Sequence, residues 1–321
     1  MKTKRLHTLL LPLTVTLLTA SAETFEPIKY GDMDQWVTRN IKESGIIGGK
    51  TKQVYAIGPT ATVNGSQAYT PKGGSPWATS NVMAKVAGVT KTSNAVFPDK
   101  HGTGKCAKLC TQIESCKALG LINVDVLVAG TIFLGKMLEP IKSTSDPYTK
   151  MEMGVPFTKR PDALVYDYEL EIPATNERVY SSGFSKKRTM KGHDNAEVVI
   201  LLQRRWEDAD GNLYAKRVGT GHELLSKSTS GWVPKHHLHV HYGDITKDAC
   251  YTPAMKLIPK ASSYYARNSK GKMVPVQEVG WDAPDATPTH IIVMFSAASG
   301  EPYVGTPGLT LRVDNVGLAY N

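Results

Sequence analysis

Residues 287–321 read TPTHIIVMFSAASGEPYVGTPGLTLRVDNVGLAYN, and this stretch decides the fold class. His290 to Phe295 is an almost unbroken apolar run, which predicts a strand covered on both faces, as at the centre of a packed double sheet. Ser299, Gly300, Pro302, Gly305, Pro307 and Gly308 then interrupt the chain repeatedly, permitting a long reversal but no helix. Beyond them Leu309, Leu311 and Val313 fall on one face by two-residue alternation, with Thr310, Arg312 and Asp314 on the other. Two such strands around a Gly-rich turn are how a β-sandwich closes.

Further upstream, short β-rich runs recur between clusters of Gly, Pro, Ser and Asn. They are Val54–Ile57, Val82–Val86, Leu121–Val128, Leu164–Ile172, Val198–Gln203 and His237–Tyr242. This spacing predicts antiparallel sheets rather than alternating strands and helices. Helices are expected only around Met33–Ile41 and Leu134–Leu138. Residues 43–80 and the segment Cys250–Pro288 read as loop-rich insertions. The expected architecture is all-β: a jelly-roll sandwich of two antiparallel sheets with long loop insertions, residues 23–83 forming a decorated N-terminal part and 84–321 the main sandwich.

Three segments carry a resemblance. The closing stretch has Thr289-His290, an apolar run, Ser296 and small residues, then a Gly-rich loop and a final Leu311-x-Val313-Asp314-Asn315-Val316. MGVPFTKRPDALVYDYELEIP, Met153 to Pro173, supplies a Gly-x-Pro-Phe entry and a later Asp-Tyr within a strand. Near the start, Phe25-Glu26 precedes Trp36. Together they resemble the putative carbohydrate metabolism domain, a jelly-roll family of exported bacterial proteins. The resemblance implies a fold and a carbohydrate partner better than it implies a reaction.

Met1–Ala22 combines Lys2, Lys4 and Arg5 with the apolar LLLPLTVTLL and a small-x-small Ala20-Ser21-Ala22, the pattern of a secretory signal peptide whose apolar run is too short to span a bilayer. A soluble periplasmic or secreted protein is expected. The formal charge is +9, but the signal holds three of the 38 Lys and Arg and none of the 29 acids, leaving +6 for the rest. So modest an excess is a solvated surface, and export makes nucleic acid an improbable partner. Neither a G-x-S-x-G elbow, a P-loop, an H-E-x-x-H motif nor a dinucleotide fingerprint occurs.

An oxidising compartment invites the four cysteines to pair. On one strand Cys106 and Cys110 would lie about 13 Å apart, beyond the reach of a disulfide. Cys116 is therefore expected to pair with one of them across a turn at Gln112–Ser115, and Cys250 with the other. A CxxxC…C zinc site is the alternative.

Sandwich proteins hold sugars by stacking pyranose faces on aromatic rings while carboxylates and amides satisfy the hydroxyls. Candidate platforms are Trp77, Trp232, Trp281, Tyr264 and Tyr265. Trp77 and Trp281 stand in loops with Gly, Pro and Asp nearby, where a large ring is harder to bury, whereas Trp232 precedes a strand, as buried sandwich tryptophans do. In LVYDYELEI, Tyr166, Tyr168, Leu170 and Ile172 take one face, and Asp167, Glu169 and Glu171 the other. Carboxylates two apart on a strand are ~6.6 Å from each other, within the range for glycoside hydrolysis. The plainer reading is a solvated face paired with Lys or Arg next door. Glu197 is a further carboxylate for such a pair.

In KHHLHVHYGD, His237, His239 and His241 are expected to share an outer face, lining a ligand site, or binding zinc or copper if His222 or His193 completed the set. Asp314 with Glu26 suggests a structural calcium site tying the termini together, against a plain Asx-turn at Asp314-Asn315. The leading expectation is an exported carbohydrate-binding protein. A glycoside hydrolase using two of Asp167, Glu169, Glu171 and Glu197 is the alternative, and a cell-surface protein-interaction module a third.

Overall fold

The computed structural model describes residues 22–86, 88–118, 122–183 and 186–321. The signal-peptide expectation falls, but for Ala22, outside them. Among the described residues the chain is all-β, with 3-10 turns as its only helical elements. Two large sheets share the main core. One has seven strands, ordered Ile122–Ala129, Gly104–Ala118, Thr310–Tyr320, Ala163–Glu171 and Val233–His239, with Thr24–Pro27 and Val96–His101 paired alongside. The other has ten and is centred on Ala196–Glu207 between His290–Ser296 and Leu213–Leu225.

Alternation explains how these sheets meet. Leu164, Tyr166, Leu170, Leu311 and Val313 point from the seven-stranded sheet at Val198, Ile200, Val293 and Phe295 from the ten-stranded one. Tyr166 meets Phe295 edge-on at 4.9 Å. Each such side chain contributes roughly 1.5–3 kcal/mol when buried, so this interface dominates the stability of the molecule.

The ten-stranded sheet departs from the expected pair of simple sheets because it closes on itself. From His290–Ser296 the pairing runs through Ala196–Glu207, Leu213–Leu225, Met273–Trp281, Tyr265–Arg267, Met151–Met153 and Thr131–Met137, then returns to His290–Ser296. Inside this ring Phe133, Met153, Val199, Leu201, Ile292 and Met294 form a second core. The central strands are thus covered on both faces, as the apolar run at His290–Phe295 requires.

Both expected helices are strands, Trp36–Lys42 and Thr131–Met137. In the first, Val37, Arg39 and Ile41 are buried in alternation. In the second, five successive buried residues face two cores. Tertiary packing of β-branched residues overrides a weak local preference. The Cys250–Pro288 insertion, expected as loop, supplies two strands of the ring, and residues 43–80 contribute Thr51–Ile57 and Ala61–Asn64 to a small three-stranded sheet.

Gly130 marks the passage from one sheet to the other. Its amide donates to Cys110 O and its carbonyl accepts from Ala297 N. A Cβ there would lie 2.3 Å from Ala95 O and 2.5 Å from Cys110 N, so no other residue fits. The disulfide expectation fails: Gly104–Ala118 runs as one strand with no turn at Gln112–Ser115, and Cys106, Cys110, Cys116 and Cys250 are all unpaired.

Candidate functional site

Glu197 is the second residue of the strand Ala196–Glu207 and faces the ring side, because Val198 beside it is committed to the main core. Across the ladder Val199 pairs with His222, which places His222 diagonally from Glu197 on the same face. His222 Nε2 lies 2.7 Å from Glu197 Oε1, with the His222 side chain 7% exposed and that of Glu197 21%. One carboxylate oxygen is fixed from below, and the group opens into a cleft of about 510 Å³.

Three tyrosines line the same cleft. Tyr264 precedes the short strand Tyr265–Arg267 and is anchored by its carbonyl, which accepts from Val276 N. Tyr148 sits on the 3-10 turn Pro147–Lys150. Tyr303, in a left-handed backbone conformation, donates its phenol to Thr144 O at 2.5 Å and ties two walls together. Burial raises the Tyr148 phenol above its ordinary value, and the charges of Glu197 and Glu301 add to this. Burial likewise raises Tyr264, with Glu197 and Tyr148 next in effect. Tyr303 is pushed up to about 12, chiefly by burial. All three are neutral hydroxyls at physiological pH; Tyr148 and Tyr264 can donate to a ligand, while Tyr303, whose O–H is committed to Thr144 O, offers its ring face and its oxygen as acceptor.

The remaining sequence candidates lie elsewhere. Asp167, Glu169 and Glu171 do share the outer face of the seven-stranded sheet, but they are engaged there. Arg312 Nη1 binds Glu169 at 3.0 Å and also Glu171, while Arg312 Nε binds Asp99 at 3.0 Å. Asp167 accepts from Lys235 N at 2.7 Å and Asn315 Nδ2 at 2.8 Å. Trp77, expected in a loop, is 1% exposed in the strand Trp77–Thr79, its indole N–H donating to Lys29 O. Trp281 ends a strand and is half-buried, with the Arg217 guanidinium 5.7 Å from its ring. Trp232 is half-buried rather than core and stacks on His101 at 3.7 Å.

His237 reaches Glu23 and lies 6.3 Å from the His239 ring, but the chain changes sheets at Val240, so His241 pairs with Thr220 in the other sheet. The three histidines do not form one file. Among the described residues no group of three or more His, Cys, Asp or Glu is placed to hold a metal. Glu26 pairs in register with Leu318, four residues beyond Asp314, a separation of about 13 Å along the strand. Glu26 is held by Lys159 and Asp314 by His101, so the two do not meet around a shared ion.

Tyr264 is the one expected platform that the fold brings to the cleft, joined there by Glu197. Tyr148, Tyr303 and the partnership of His222 with Glu197 were missed. That partnership depends on the register between two strands, which no local pattern reveals, and both tyrosines sit in irregular segments without periodicity.

No curated protein matches the chain. Among solved structures, a crystal structure of a putative glycoside hydrolase from Bacteroides thetaiotaomicron is similar at 17% identity and a TM-score of 0.46, covering 88% of this chain and 71% of that one. A family described as the putative carbohydrate metabolism domain matches residues 52–241, well over half of the sequence, and the chain belongs to that family.

Proposed function

We propose that this protein binds carbohydrate, and does so in the cleft above Glu197 and His222. The observation that carries this reading is the convergence of Tyr148, Tyr264 and Tyr303 with a buried-anchored carboxylate in one cavity of about 510 Å³. Such volumes suit a ligand of a few sugar rings. Tyrosine faces offer stacking to pyranose C–H surfaces, and Glu197 Oε2, left free by the His222 contact to Oε1, accepts from sugar hydroxyls. The apparent signal peptide supports export, and no helix among the described residues is long and apolar enough to cross a membrane.

Calorimetric titration against a panel of neutral and acidic oligosaccharides tests the reading. At least one should bind, and Tyr148→Ala and Glu197→Gln should each weaken it about tenfold or more. Retention of full affinity in both variants would remove the cleft from consideration.

A hydrolytic reading has one observation in its favour. Glu197 and Glu301 both line the cleft and both act on the Tyr148 phenol, so two carboxylates face one cavity. Reducing-end release that disappears in both Glu197→Gln and Glu301→Gln would establish it.

A further inference from the structure

The walls of the cleft differ in kind from its floor. The polar groups Glu197, Glu301, Tyr148 and Tyr264 line one cavity, and the charge of Glu197 acts on both phenols. Much of the remaining lining is aliphatic, although Lys91, Glu114 and Ser115 also border the cavity, Glu114 as the cross-strand neighbour of Val126. Val124, Val126 and Val128 recur at every second position of the edge strand Ile122–Ala129, and Val82, Ala84 and Ile141 line the same cavity. Met137, Leu257 and Ile258 extend the apolar lining.

Lys91 and Glu114 are engaged with each other at 3.9 Å, and a saccharide alone makes poor use of the valine and isoleucine surface, because hydroxyls laid against it lose water without gaining partners. An alkyl chain satisfies it, since apolar surface of both partners leaves water together. The wall is also half-buried rather than sealed, with Val82, Val124, Val126 and Val128 each partly accessible, so a ligand can reach it. Resting on the carbohydrate reading above, we infer that the ligand is an amphiphilic glycoconjugate: a sugar seated at Glu197 and the tyrosines, carrying an acyl or alkyl chain laid along the valine-lined wall.

The test compares glucose with hexyl, heptyl and octyl β-glucosides, and the same series with galactose and mannose head groups, by calorimetry below the micelle-forming concentration. For at least one head group affinity should rise roughly fourfold per methylene, the fold-change equivalent of burying one CH₂. Val126→Asn should flatten that rise while leaving the affinity for the free sugar unchanged, and Leu257→Asn, on a surface loop, serves the same purpose if the first variant does not fold. Equal affinity for free sugar and alkyl glycoside would overturn the amphiphile inference and leave carbohydrate binding standing. Octanol binding as tightly as octyl glucoside would overturn the sugar end of both. No binding by any member of the three series would overturn the inference as well.

Discussion

Asp167 and Asp314 stand directly opposite one another on neighbouring strands of the seven-stranded sheet, and Asn315 donates to both, through its backbone N–H to Asp314 at 2.7 Å and its side-chain amide to Asp167 at 2.8 Å. Two carboxylates so placed repel when both are charged. Asn315 takes a left-handed backbone conformation to make this bridge, at the point where the ladder with Ala163–Glu171 bulges. The Asx-turn expected at Asp314-Asn315 is therefore a clamp between strands.

A pH dependence follows. Asp314 is 5% exposed and its carboxyl is pushed up to about 6, burial outweighing the lowering effect of its contact with His101. An unfolded chain releases that proton near pH 4, so between about 4 and 6 the folded state holds more protons, and this residue's contribution to stability falls as pH rises. Above about 6 its contribution is flat. Urea titrations at a series of pH values should show this slope in the wild type, and Asp314→Asn should lose it. An unchanged slope in Asp314→Asn would assign the effect to other groups.

The ring has its own vulnerable point. Arg217 and Glu278 form an ion pair with side chains 1% and 0% exposed, and Glu278 also accepts from Gln203 Nε2 and Ile258 N. Removing one partner strands a buried charge, so Glu278→Gln should cost about 3–5 kcal/mol. Replacing both, as in Arg217→Met with Glu278→Leu, should cost less than either single change. Chemical denaturation of the three variants checks the ordering.

Strand content and facing were legible because two-residue alternation is local. Asp167, Glu169 and Glu171 do face away from Tyr166 and Leu170, as their spacing required. What joins distant strands was not legible. Closure of the ring depends on one parallel bridge between Glu152 and Tyr265, and the chain's change of sheets at Gly130 and Val240 leaves no periodic trace. Trp77 was misjudged for the same reason: Gly73, Gly74 and Pro76 announce a loop, yet a three-residue strand pairing with Thr131–Met137 buries the indole immediately afterwards. The cleft inherits this limit, since one hairpin sets the Glu197–His222 contact and its tyrosines come from three separate loops.

Gly130→Ala should be among the most damaging small substitutions in the chain. The three atoms nearest the added methyl, Ala95 O, Cys110 N and Leu109 Cα, are all backbone and belong to neighbouring segments, so no side chain can swing aside. Relief requires the two sheets to shift at their crossing, which breaks the Cys110 N to Ala95 O bond at 2.8 Å. A loss of several kcal/mol is expected, from overpacking together with a stranded buried amide. Gly88→Ala is the contrast in destabilisation: nothing lies within 4 Å of its Cβ, and only its left-handed backbone angle of 78° adds cost, about 1–2 kcal/mol. Thermal melts of the two variants should separate by well over 5 °C.

His222 links stability and binding, and the two effects can be separated. Its ring holds Glu197 from a position 7% exposed, so His222→Ala leaves the carboxylate without its partner and opens space beneath it. A stability loss of about 1–3 kcal/mol is expected. His222→Gln keeps a donor at nearly the same reach, and should recover most of the stability. If Glu197 serves the ligand through its fixed orientation, ligand affinity should fall in His222→Ala and return in part with His222→Gln. A Glu197→Gln variant should lose affinity with less effect on the melting temperature, because an amide oxygen still accepts from His222. Affinity that instead tracks the melting temperature across all three variants would make the pair a structural strut, and the contact with sugar would then fall to the tyrosines alone.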